Sequence, residues 1–295
     1  MLEDALISIH VGAPATQSDL LLKSVRKEQA AQNDTALHVP EVLSYRDQII
    51  TLSNQLRGAP LTSTQRQEVY KTVCSLHDSA NIENIVLSSE YFLAFAPYTF
   101  KDGMLFDRSG VKSNWLRSLF PHNPCEFFIT IRNPATFIPQ MLGIQKQLDY
   151  ESLVGRTDLL EINWYDVIAR MDECNPDDHI TVFLFEDAPQ NWGNMVRALG
   201  GFAPNPPMQT DLDMAFSLLS RKGRRWLRSA AEAASPDEHP ALIEFALENH
   251  LRPDQEFTEI SLPGWDQELI NGLTRNYLKD IQRIKGLTGV TLLEP

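Results

Sequence analysis

Four short apolar runs punctuate the chain: "ALISIHV" at 5–11, "NIVLSS" at 84–89, "EFFITIR" at 126–132 and "HITVFLFE" at 179–186. They are rich in Ile, Val and Phe and nearly continuous rather than strictly alternating, which predicts strands buried on both faces of a parallel sheet. Helix-period patterns lie between them, one following Ser18, others over 41–57 and 62–79, another from Pro134, and one through 163–171. After the fourth run, "APQNWGNMVRALGGF" predicts a helix stopped at Gly200-Gly201. "NPP" at 205–207 interrupts the chain, and the remainder has only helical patterning, at about 209–233, 236–251 and 265–285. Strands alternating with helices predict an α/β fold, a central parallel sheet flanked by helices with right-handed crossovers, and a helical C-terminal region. The expected organisation is a single domain over 1–295, with an α/β core at 1–203 and a helical extension at 204–295.

Composition narrows the function classes. The 295 residues are 43% hydrophobic and 22% charged, ordinary for a soluble globular protein, and no internal repeat or low-complexity tract is present. A formal net charge of −13 disfavours general binding to nucleic acid or to an anionic membrane, so an anion site must be a local basic feature. Cys74, Cys125 and Cys174 are widely spaced and odd in number, which fits a reducing compartment and predicts neither a disulfide framework nor a metal site. None of the seven histidines forms a metal-ligand pattern, and His10 at a strand end is expected to be half-buried and structural. Glu3 and Asp4 stand where a signal peptide carries basic residues, and no segment reaches the ~20 apolar residues of a membrane span, so the expected location is cytoplasmic.

In α/β sheets ligands bind beyond the carboxyl ends of the strands. The loop after the first run, "HVGAPATQSDLL" at 10–21, leads from a strand into a helix, whose N-terminal N–H groups suit an anion. Gly12 allows close backbone approach there, and Thr16 and Ser18 offer hydroxyls. The same pattern also reads as a plain turn in which Ser18 or Thr16 caps the helix, with Asp19 complementing the helix dipole. "FFITIRNPATFIPQML" at 127–142 places Arg132 at a strand end before Asn133 and a helix-starting Pro134. Arg132 reads equally as a phosphate fork or as the partner of Glu186 or Asp187. Glu90, in "IVLSSEYFL" at 85–93, is either a general base or a helix-capping group assisted by Ser88 and Ser89.

These segments resemble the sulfotransferase family, whose fold is related to P-loop nucleotide kinases. The first loop is similar to the family's HxGxxKTGTTxL loop, which holds the 5′-phosphosulfate of the donor 3′-phosphoadenosine 5′-phosphosulfate (PAPS). The resemblance implies donor contacts from Gly12, Ala13, Thr16, Gln17 and Ser18. The family lysine falls on Ala15, its central glycine on Gln17, and its later threonines on Ser18 and Asp19. The segment from Arg132 resembles the family's second signature, implying a 3′-phosphate site at Arg132 with Gln140 in the place of a serine. "IVLSSEYFL" resembles the segment where family members end a strand with Ser-Ser-Glu, which implies that Glu90 lies beside the active cleft, where a glutamate can take the acceptor's proton. Glu186-Asp187 and the helix after them resemble the closing strand and helix, to which no chemistry is assigned.

The resemblance implies sulfuryl transfer from PAPS, without a metal, to a hydroxyl or amine acceptor such as a carbohydrate. The missing lysine, which neutralises charge on the bridging oxygen, favours a second reading: a sulfotransferase-fold protein that has lost PAPS and acts as a binding or assembly partner. A transferase using another donor is a third. "SRKGRRWLR" at 220–228 carries Arg221, Lys222, Arg224, Arg225 and Arg228 and reads as a solvated face or an acidic-partner patch. Lys23 lies too far along its helix to replace the lysine. The helices at 209–285 are expected to complete the core or form a protein-partner surface, with Trp226 and Trp265 as buried anchors.

Overall fold

The computed structural model describes residues 4–74, 81–145, 147–204, 207–253 and 262–295. The first half of the chain runs β1 (Leu6–His10), α1 (Ser18–Gln32), β2 (Leu37–His38), α2 (Val42–Leu56), α3 (Ser63–Cys74), β3 (Asn84–Ser88), β4 (Phe100–Lys101), β5 (Met104–Leu105), α4 (Ser109–Arg117) and β6 (Cys125–Ile131). The second half runs α5 (Pro134–Ile144), α6 (Tyr150–Val154), α7 (Trp164–Cys174), β7 (His179–Leu184), α8 (Ala188–Gly200), α9 (Asp213–Leu218), α10 (Arg221–Ala233), α11 (His239–His250), α12 (Gln267–Ile284) and β8 (Val290–Leu293). A six-stranded sheet in the order β2-β3-β1-β6-β7-β8 is parallel throughout, and β4 and β5 form a small antiparallel hairpin. The fold is therefore α/β with a parallel central sheet flanked by helices, as the apolar runs predict.

Alternate residues of the continuous apolar strands feed two different cores. Ile7 and Ile9 of β1, Phe127 and Ile129 of β6 pack with α2, α3, α4, α5, α7 and α12 on one face. Val86, Phe128 and Phe183 pack with α1 and α8 on the other. Each such fully buried Phe contributes about 1.5–3 kcal/mol relative to exposure. Because α1 leaves β1 toward one face and α5 leaves β6 toward the other, the chain parts at the carboxyl ends of these neighbouring strands and opens a crevice.

Local chemistry explains the helix starts. Pro134 opens α5 as expected, and the Asn133 side chain accepts the Ala135 N–H at 3.0 Å. Asn163 and Asp266 cap α7 and α12 in the same way. Gly201, in the left-handed region at φ 73°, ends α8 where the Gly-Gly pair predicts.

Several expectations are corrected. The last segment is not purely helical: after α12 the chain returns to the sheet, and β8 pairs with β7, Val290 opposite Ile180. The helix expected over 209–233 is two helices, because Leu219 is extended and bridges Leu251 while Ser220 caps α10 by accepting the Gly223 N–H at 3.2 Å. The helix expected over 236–251 begins as a 3-10 turn at Pro236–Glu238. Of the helix expected over 62–79, residues 75–79 lie outside the described residues, as do Asn205 and Pro206 of the "NPP" break. Trp226 and Trp265 are half-buried, and the fully buried tryptophans are Trp164 and Trp192. Among the described residues no helix is long and apolar enough to cross a membrane.

Candidate functional site

Four strand ends converge on one cleft of about 590 Å³. The loop after β1 contributes Ala15, Gln17, Ser18 and Asp19, and the end of β3 contributes Glu90. Arg132 and Asn133 follow β6, Thr136 and Gln140 come from α5, and Phe185 and Glu186 follow β7. Met214, Leu218 and Leu251 close the cleft from the helical segment. Glu90, Arg132, Gln140, Gln17 and Ser18, all singled out from sequence, are thus brought together.

Gly12, Ala13 and Thr16 are not cleft walls but lie buried beneath them. The Ala13 N–H donates to the Thr130 carbonyl at 3.0 Å, the Thr130 N–H to the Gly12 carbonyl at 2.6 Å, and the Thr16 hydroxyl to the Ala13 carbonyl at 2.5 Å. These bonds weld the loop to β6. Gly12, at φ 108°, is needed for packing rather than for ligand approach, since a Cβ there would lie 3.1 Å from the Glu90 Cα.

The expected helix caps at the loop are also absent. Gln17 is the N-cap of α1, at φ 63°, and its side chain makes no capping bond. Thr16 turns back to Ala13, and among the described residues the buried Ser18 hydroxyl has no hydrogen-bond partner. A buried orphan hydroxyl at a helix N-terminus is a position where a ligand group would be rewarded.

Arg132 is fixed from three directions. Its Nε donates to the Thr136 hydroxyl at 3.0 Å, one terminal nitrogen donates to the Ala15 carbonyl at 2.8 Å, and the guanidinium stacks over the Phe185 ring at 4.3 Å. Burial lowers its pKa to about 10, against the opposing pull of Glu186 and Tyr277. The expected pairing with Glu186 or Asp187 is replaced: Glu186 accepts the Asn133 N–H at 2.8 Å and the Tyr277 hydroxyl at 2.7 Å. Arg132 keeps unspent N–H donors toward the cleft.

Glu90 begins no helix, because the chain turns after Ser89, so the capping role is corrected. Burial pushes its carboxyl above the usual range and Asp19 adds to this, while the Tyr91 hydroxyl, Arg46 and the Ala15 N–H pull the other way. Glu90 therefore adds a half-buried carboxyl to the cleft wall beside the first loop. With Asp19 and Glu186, Glu90 makes three acidic side chains lining the cleft against one cation, Arg132, among the described residues.

Lys23 lines a separate cavity with Lys27 and Arg224, so it does not supply the missing charge. The basic segment on α10 does not contribute to the cleft lining; Arg224 Nε donates to the Leu219 carbonyl and Arg228 covers the Phe216 ring. Sequence reasoning named Glu186 as a partner of Arg132 but missed Thr136 and Phe185, the side chains that hold it. Position just after β7 was the available signal for Phe185. Among the described residues no group of three or more His, Cys, Asp or Glu is arranged to hold a metal ion. No protein-family model matches the chain, and no curated protein matches it.

Proposed function

We propose that the chain is a sulfotransferase-like protein whose cleft has lost the PAPS donor site and serves in binding rather than sulfuryl transfer. One observation carries this reading: the cleft lining sets Asp19, Glu90 and Glu186 against one cation among the described residues, Arg132, and places Ala15 where the donor loop would need a lysine. A dianionic donor would have to approach Asp19 and Glu90 with no lysine at position 15. Electrostatic help of the kind such a lysine supplies is worth several kcal/mol at a developing charge. Arg132 alone remains to hold an anionic group, and it is shared with the Ala15 carbonyl and the Thr136 hydroxyl. This favours a cleft ligand of low negative charge.

Thermal denaturation with 3′,5′-adenosine bisphosphate tests the reading. A competent site saturated at roughly 100 times its Kd stabilises the fold by about 2.7 kcal/mol, a melting shift of several degrees in a chain of this size. The expected result is no shift at millimolar ligand. A shift that disappears in Arg132→Ala would show a working donor site and overturn the proposal.

A further inference from the structure

A second cavity, of about 460 Å³, lies between α2, the turn at 91–98 and the start of α4. Its floor is apolar, with Ile49, Leu93 and Leu116 buried. Its rim is aromatic: Tyr91 and Phe95 stack at 5.5 Å with ring planes 28° apart, and Tyr98 stands beside them. Phe95 and Tyr98 are 39% and 61% exposed, a large amount of ring surface for a protein to leave in water without use.

The charge in this cavity is opposite to that of the molecule. Lys101, Arg108 and Lys112 line it, against one carboxylate, Asp107, which lies 3.9 Å from Lys101. Lys112 is half-buried, donates to the Ser53 hydroxyl at 2.7 Å, and has no carboxylate within ion-pair distance among the described residues. Burial and the neighbouring Arg108 both disfavour its charged form. A partly desolvated cation without a counter-charge is costly and gains most from an anion brought by a ligand. An apolar floor, aromatic walls and a few convergent cations are the make-up of a small-molecule site.

We propose that this cavity binds a flat aromatic carboxylate, its ring against Tyr91 and Phe95 and its carboxylate on Lys112 and Arg108. The site stands independently of the reading of the main cleft, which Tyr91 does not line.

Titration of the full chain with 4-fluorobenzoate, followed by ¹⁹F NMR, is the test. Saturable binding is expected, with 4-fluorobenzamide at least tenfold weaker. Lys112→Met should weaken binding at least tenfold, and Lys112→Arg should restore most of it. Phe95→Ala, at a position 39% exposed, should weaken it several-fold. Arg132→Ala should leave the affinity unchanged. Absence of saturable binding, equal affinity for the amide, indifference to Phe95→Ala, or loss of binding in Arg132→Ala would each overturn the assignment, the last by placing the ligand in the main cleft.

Discussion

His10 illustrates how a residue at the mouth of the loop serves the fold. The expectation of half-burial is corrected, for the ring is fully buried. Nδ1 lies 2.9 Å from the Ser88 hydroxyl and Nε2 3.3 Å from the Thr130 hydroxyl, so one side chain ties β1 to both of its neighbours. Burial lowers its pKa from 6.5 to about 4. The unfolded chain therefore takes up this proton at a higher pH than the folded chain does. The stabilising contribution is complete above pH 6.5 and is lost as pH falls through the window toward 4. His10→Gln keeps hydrogen-bonding groups but cannot titrate. Between about pH 7 and about pH 5, its stability should fall by roughly 2 kcal/mol less than that of the parent chain. Urea denaturation at the two pH values measures this difference, and equal losses in the two proteins would refute the role of His10.

At the scale of elements, the tightest test lies in the helical segment. Gly223 sits in α10 where a Cβ would come 2.5 Å from the Cβ of His250 and 3.1 Å from its carbonyl oxygen. At an open helix position, Gly→Ala stabilises by about 0.8–1 kcal/mol. Here the close crossing with the end of α11 reverses the sign, and Gly223→Ala should destabilise by about 1–3 kcal/mol in chemical denaturation. The same crossing explains part of what the sequence concealed. α9, α10, α11 and the link at Leu219 share a small core of Ala215, Leu219, Leu227, Ile243 and Ala246, a grouping that depends on which helices meet rather than on any one helix's pattern. β1, β3, β6 and β7 were legible because each is an apolar run long enough to be buried on both faces. β2 and β8 were not: Leu37–His38 is too short to show a period, and Val290–Leu293 follows a strong helical pattern directly. The cleft was legible residue by residue, through the rule that ligands meet strand ends. The second cavity was not, because its cations come from β4 and α4 and its rings from the turn between β3 and β4.

The whole molecule sets four strand ends around one crevice, and it gives them an acidic balance that three residues of the first loop do much to determine. Ala15 and Gln17 both adopt left-handed backbone, at φ 62° and 63°, which costs an L-residue roughly 1–2 kcal/mol each. Gln17→Gly relieves that strain, Ala15→Lys brings a cation to the mouth of the cleft, and Asp19→Thr removes a carboxylate from the first turn of α1. Glu90→Gln then removes a second carboxylate from the cleft wall. If the fold is sulfotransferase-like, these four changes together should convert a chain indifferent to 3′,5′-adenosine bisphosphate into one that it stabilises. Near saturation, at ~100 times the new Kd, the melting shift should again be several degrees. Adding Arg132→Ala to the repaired chain should abolish the gain, since Arg132 is the cation already facing the cleft from β6. A repaired chain that folds normally but shows no response would mean that the strand ends converge for another purpose, and that the resemblance of the loop to a phosphosulfate site is one of sequence alone.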